Sequence, residues 1–287
     1  MRKFNIFPQT AHLTLNQFII YITLPALSLY YIPEIKIDKA LLLPVGVSWI
    51  CFIGSAILFW TIGKIFGWSR KLIGCMILMS GLGNTAFIGY PVTEALYGDE
   101  GLIIAILVDQ PGSFMVVSTF GIAVAIIFSK GQSSGWDILK KIMLFPPFIT
   151  FLIALAMNLS EVQFNDVFKE VLKRLGSTVT PLALVSIGLQ LRIERHSQHW
   201  GFLAMGLFYT LIVSPAIIYL LYAFVFKAQG INLQVSVLQA AMAPMITPSI
   251  IAATYNLKPK LANMMVGIGI PISFITLALW YFVINDL

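Results

Sequence analysis

The sequence predicts an all-α integral membrane protein of about nine transmembrane helices, and three observations lead there. Of its 287 residues, 59% are apolar and 10% charged, where a soluble domain has roughly 45–50% and 25%. The apolar residues gather in nine runs, each long enough to cross a hydrocarbon core that takes about 20 residues. The chain also matches itself at an offset of about 160 residues. A mean hydropathy of +0.90 with 13% aromatic residues excludes disorder, which requires low hydrophobicity.

The runs lie at 12–32, 40–66, 71–97, 101–129, 139–158, 168–190, 200–226, 231–256 and 261–284, divided where polar or charged residues cluster. The first follows a basic pair, Arg2 and Lys3, but a polar stretch separates the two and the run contains Pro25, so it reads as a span rather than a cleaved signal. No gap is long enough for a soluble domain, and no GxxxxGK[ST] loop is present, which argues against an ATP-driven pump. Cys51 and Cys75 form neither a disulfide framework nor a CxxC pair.

The net charge of +6 is explained by topology rather than by nucleic acid. Arg2, Lys3, Lys64, Arg70, Lys71, Lys130, Lys140, Lys141, Arg192, Arg195, Lys258 and Lys260 fall on one side of nine spans. Lys36, Lys39, Lys169, Lys173, Arg174 and Lys227 fall on the other, the cluster at 169–174 running against the trend. The positive-inside rule then puts the N-terminus in the cytoplasm and the C-terminus outside.

At the offset of about 160, Asn84 meets Pro244, Ile88 meets Pro248, Pro111 meets Pro271, Ser113 meets Ser273 and Phe114 meets Phe274. A slightly shorter offset aligns Pro25 with Pro181. The matches are sparse, and apolar sequences also align by chance. Taken as a repeat, they give four helices in the first half and five in the second, entering the membrane in opposite senses. The expectation is an inverted five-helix repeat whose first unit lacks one helix.

The third run crowds Gly81, Gly83, Asn84, Thr85, Gly89 and Pro91 into the middle of a span, where glycine weakens a helix and proline removes a donor. The eighth repeats the pattern with Pro244 and Pro248 flanking Met245, Ile246 and Thr247. Unwound backbone at membrane depth survives only inside protein or beside a watered cavity. Two such breaks in corresponding positions point to a midplane binding site, against the alternative of close packing and simple kinks. Asn84 offers both donor and acceptor there. Asp109 reads as a proton or cation site, as a group that orients the broken helices, or as a carboxylate near the outer interface, and Glu94 as interfacial.

Gln190 and Gln239 read as helix-to-helix hydrogen bonds. His12, His196 and His199 lie at loop edges without acidic company, no HExxH pair occurs, and neither a metal nor a cofactor is expected.

GLGNTAFIGYPV, the stretch around ITLPAL and the closing MAPMITPSIIAATYNLKPKLANMMVGIGIPISF resemble signatures of the auxin efflux carrier family, compact bacterial type. The resemblance implies a ten-helix fold like those of bile-acid/sodium symporters and sodium/proton antiporters, with two broken helices crossing at the substrate. It also implies organic anions as cargo, such as auxin, malate or malonate. Carried onto this chain, the crossing falls at Asn84, Gly89 and Pro91 and at Pro244, Thr247 and Pro248. The family's first helix, a scaffold element, has no counterpart here.

The expected activity is secondary transport of a small organic anion across the cell membrane by alternating access, not enzymatic catalysis. Residues 1–38 and 131–199 would form a scaffold, and 39–130 and 200–287 a moving core. Asn84, Thr85, Gly89, Pro91, Pro244, Thr247 and Pro248 would bind the substrate, with Asp109 as a coupling group. Expected partners are the anion, membrane lipid and a second copy of the chain through the scaffold helices, with no nucleic acid. A cation/proton antiporter and a non-transporting receptor or subunit are the alternative readings.

Overall fold

The computed structural model describes residues 8, 10–34, 42–129, 144, 146–190 and 199–285. Among these, all regular structure is helical apart from one isolated bridge. In chain order the helices are α1 (Ala11–Glu34), α2 (Leu42–Ile65), α3 (Arg70–Gly81), α4 (89–97), α5 (99–128), α6 (Pro146–Leu159), α7 (Asp166–Ser177), α8 (Val179–Gln190), α9 (Trp200–Val225), α10 (Gly230–Ala240), α11 (Ile246–Thr254) and α12 (Pro259–Asn285). Five stretches among the described residues are long and apolar enough to cross a membrane: α1, α2, Gly89–Phe128, α9 and α12.

The third of those stretches is two helices, because Gly98 joins α4 to α5 at φ 61° and ψ −154°. That conformation suits glycine and is where the sequence divides its third and fourth runs. Segments 71–97 and 231–256 are each interrupted, as expected, into α3 and α4 and into α10 and α11. Segment 168–190 differs from expectation: it is not one helix but two, parted at Thr178. Pro181 has no N–H to offer Ser177 and its ring crowds that carbonyl, so α8 must begin anew. The first of the pair, α7, is amphipathic; its exposed face carries Val167, Phe168 and Val171, and its ion pairs are Lys169 with Glu34 (2.5 Å) and Arg174 with Glu170 (2.7 Å).

Proline also shapes the longer helices. Pro25 and Pro215 each follow a turn widened to i→i+5 bonding, at Ile19–Thr23 and Tyr209–Val213, and Pro111 lies inside another, Asp109–Phe114. A widened turn accommodates the missing donor. Two of these turns are stitched by indoles: Trp49 Nε1 donates to Pro111 O (3.1 Å) and Trp280 Nε1 to Leu211 O (2.9 Å).

Lipid gives helices no hydrophobic reason to associate, so close contact has to come from small residues and polar bonds. Gly81 shows the first: a Cβ there would sit 2.9 Å from the Phe52 ring and 3.1 Å from Phe52 Cα. Residues 72–81 of α3 are buried throughout, as are 235–240 of α10, so the two interrupted helices occupy the centre. To one side, α1 packs on α6, α7 and α8. The outer surface is apolar, with Ile57, Phe224 and Phe282 among its exposed side chains.

Arg2, Lys3, Lys36, Lys39, Lys130, Lys140, Lys141, Arg192, Arg195 and His196, and the side chain of Gln190, lie outside the described residues. The sorting of basic residues by side therefore rests on the sequence.

Candidate functional site

The first interruption begins where α3 runs into glycine. Gly81 ends the helix, Leu82 is extended (φ −130°, ψ 112°), and α4 starts at Gly89. Asn84 organises the gap. Its backbone carbonyl accepts from Gly89 N (3.0 Å), and its side-chain Oδ1 accepts from Phe87 N (3.2 Å). Pro91 stands third in the new helix, where an N–H has no partner within the helix and its loss costs nothing.

The second interruption is built the same way with different side chains. α10 ends at Ala240, Met245 is extended (φ −68°, ψ 146°), and α11 starts at Ile246 with Pro248 again third.

The two gaps hold each other. Asn84 N donates to Ala243 O (2.7 Å) and Met245 N donates to Leu82 O (2.9 Å), which sets Gly83 opposite Pro244 in an isolated antiparallel bridge. Both bonds come from neighbours of the facing pair, so Pro244 occupies a position that requires no N–H. Gly83 is needed for approach: a Cβ would lie 3.3 Å from both Gln239 O and Met242 Cβ. Four helix ends thus converge. α3 and α10 bring C-terminal ends, with partial negative charge, and α4 and α11 bring N-terminal ends, with partial positive charge.

Buried polar side chains surround this crossing. Asp109 is 4% exposed, at the widened start of the Pro111 turn. Thr85 Oγ1 donates to its Oδ1 (2.6 Å) and Tyr90 OH to its Oδ2 (2.9 Å). Thr85 Oγ1 also reaches Ser113 Oγ (2.9 Å), which lies 2.7 Å from Ser48 Oγ. A line of hydroxyls therefore runs from α2 through the first gap to the carboxylate. Next to it, Ser28 and Gln110 bond between α1 and α5.

Two buried amides have one end committed and one end free. Asn84 Oδ1 is used by Phe87 N, so its free end is the donor Nδ2, which has no partner among the described residues. Gln239 Nε2 donates to Thr93 Oγ1 (2.9 Å), whose own proton goes to Gly89 O (2.6 Å), so Thr93 can only accept and the amide orientation is fixed. The free end of Gln239 is the acceptor Oε1. Gly89 makes room for that amide: a Cβ would fall 2.3 Å from Oε1.

Between these groups lies a cavity of about 10 Å³, lined by Ser48, Cys51, Ser80, Thr85, Thr210, Ser214, Gln239 and the ends of α3 and α10. That is room for a single water-sized sphere.

Of the residues expected at a site, the fold brings Asn84, Thr85, Gly89 and Pro244 to the crossing and ties Asp109 to Thr85. Asp109 is buried within the protein and bonded to Thr85 and Tyr90. Pro91 and Pro248 are buried in the first turns of α4 and α11, whereas Thr247 is exposed. Glu94 accepts from Thr180 Oγ1 (2.6 Å), joining α4 to α8. Gln239 does make the interhelical bond expected of it, but it also lines the cavity and keeps its carbonyl oxygen free, which sequence reasoning missed. Tyr90, Ser113, Ser48 and Ser80 were also missed; the only signal they leave is a hydroxyl within an apolar run. Among the described residues no group of His, Cys, Asp and Glu has metal-binding geometry.

The family described as membrane transport protein matches residues 1–281. An uncharacterized transporter of Methanocaldococcus jannaschii is 32% identical over 276 residues, covering 93% of this chain and 87% of its own length. An uncharacterized transporter of Methanothermobacter thermautotrophicus is 30% identical over 276 residues with the same coverage.

Proposed function

The chain belongs to the membrane transport protein family, the auxin efflux carrier family, and from that premise we propose that it is a secondary carrier of small organic anions across the cell membrane. The observation that carries the reading is the unpartnered Asn84 Nδ2, a buried donor in a gap followed directly by a helix N-terminus. A carboxylate accepts from such a donor and is favoured by the positive end of a helix. Thr85, Gly89 and Pro91 shape the first half of this site, and Pro244 and Pro248 the second, with the exposed Thr247 at its edge.

The reading includes a topology. With α3 and α4, α7 and α8, and α10 and α11 each counted as one interrupted crossing, the twelve helices among the described residues give nine crossings arranged as an inverted repeat with the N-terminus in the cytoplasm. Residues 1–38 and 131–199 form the scaffold, through which two copies pair, and 39–130 and 200–287 form the core. Scaffold and core touch through Ser28 with Gln110, Thr180 with Glu94, and Tyr31 with Asp99. A cavity of about 10 Å³ does not hold an organic acid, so loading requires those contacts to part, as alternating access demands.

Purified protein in liposomes should exchange a mono- or dicarboxylate for its labelled self. Absence of counterflow across a panel of both would end the anion reading. The buried Asp109 favours one second reading, a cation/proton antiporter, which the same vesicles test: cation movement driven by a pH gradient without organic acid would support it.

A further inference from the structure

We infer that the small cavity at the crossing is a binding site for one dehydrated monovalent cation, with sodium as its probe. The inference begins with what its walls can offer. Thr85 gives its single proton to Asp109, and Thr210 gives its own to the carbonyls of Ser80 (3.0 Å) and Gly206 (2.9 Å), so both present lone pairs. Gln239 is one of the lining residues, with its amide nitrogen committed to Thr93 and its amide oxygen left free. Among the described residues that oxygen and Ser80 Oγ have no hydrogen-bond partner, though both residues are 1% exposed. A buried acceptor without a partner is costly, and one that lines a cavity is accounted for by something electropositive beside it.

The backbone makes the same demand. Ser80 and Gly81 are the last residues of α3, and Gln239 and Ala240 the last of α10, so the cavity sits between two C-terminal helix ends. Such ends carry partial negative charge, and in discontinuous helices they coordinate cations at membrane depth. The Asp109 carboxylate, one hydroxyl away through Thr85, adds a formal negative charge. One carboxylate and otherwise neutral oxygens match a single positive charge. Apart from the Cys51 thiol, the polar side chains of the lining are hydroxyls and an amide, which suit a hard cation. The free acceptor of Gln239 and the free donor of Asn84 then have opposite tasks, a cation at the C-terminal ends and an anion at the N-terminal ends.

The cation site extends the carrier reading but is measured without any organic acid. Purified protein in detergent, titrated with sodium chloride against choline chloride at constant ionic strength, should show a saturable rise in melting temperature with sodium alone. Ser80→Ala removes an oxygen that bonds to nothing, so the protein should melt normally without sodium while half-saturation moves up about tenfold. Equal melting temperatures in the two salts would overturn the inference and leave the cavity to water. A sodium effect that Ser80→Ala leaves unchanged would also overturn it, by placing the ion elsewhere. Sodium binding with no counterflow of organic acids would sink the anion reading and leave the cation site standing.

Discussion

The two interruptions share a backbone plan and differ in their side chains. In the first, Asn84 and Thr85 supply a free donor and a bond to a buried carboxylate, and Tyr90 adds a second bond from the first turn of α4. In the second, Ala241, Met242, Ala243, Pro244 and Met245 supply carbonyls and bulk, and the nearest hydroxyl, Thr247, is exposed. The second gap serves chiefly as the partner that holds the first in place, through Ala243 O and Met245 N. A crossing of two broken helices therefore divides its labour, one arm giving side-chain chemistry and the other a backbone clamp.

The hardest test of that division is Thr85→Val, which keeps the shape but takes one donor from the buried Asp109 carboxylate. Leaving such a group short of a partner costs about 1–3 kcal/mol, read as a lower melting temperature in detergent, and uptake should fall with it. Asn84→Asp sharpens the comparison next. The substitution keeps an acceptor for Phe87 N but replaces the amide donor with a carboxyl whose charge is costly at so buried a position, so uptake should drop about tenfold and the melting temperature should fall with it. Uptake at the wild-type level would remove Asn84 from the site. Thr247→Ala should do least, because its side chain is exposed: a change in uptake of less than about twofold, and in stability within about 0.5 kcal/mol. A loss as large as that of Asn84→Asp would show that the second arm carries side-chain chemistry after all.

The breaks themselves were legible because glycine and proline act on their own backbone. Gly81, Gly83, Pro244 and Pro248 announce an unwound span without reference to anything else in the chain. Pro181 carries the same local message, and the division of 168–190 at Thr178 follows from it. What surrounds Asp109 was not legible, because Thr85, Tyr90 and Ser113 form its cluster only when α5 packs beside the first gap. Ser48 and Ser80 were hidden in another way, since a single serine in an apolar run looks the same whether it bonds its own helix or faces a cavity.

The mutual pairing of the gaps also bears on how the molecule is made. Residues 82–84 receive their bonding partners from residues 243–245, which leave the ribosome only after more than half of the chain has followed the first gap. Until then Asn84 N–H and Leu82 O have no mates, and an unwound stretch in the bilayer cannot leave them bare. Until α10 and α11 arrive, residues 82–84 must find those bonds elsewhere, in a transient helical turn or from water at the insertion machinery. Synthesis halted before residue 241 would leave the first gap without its clamp, even though every residue of that gap is already present.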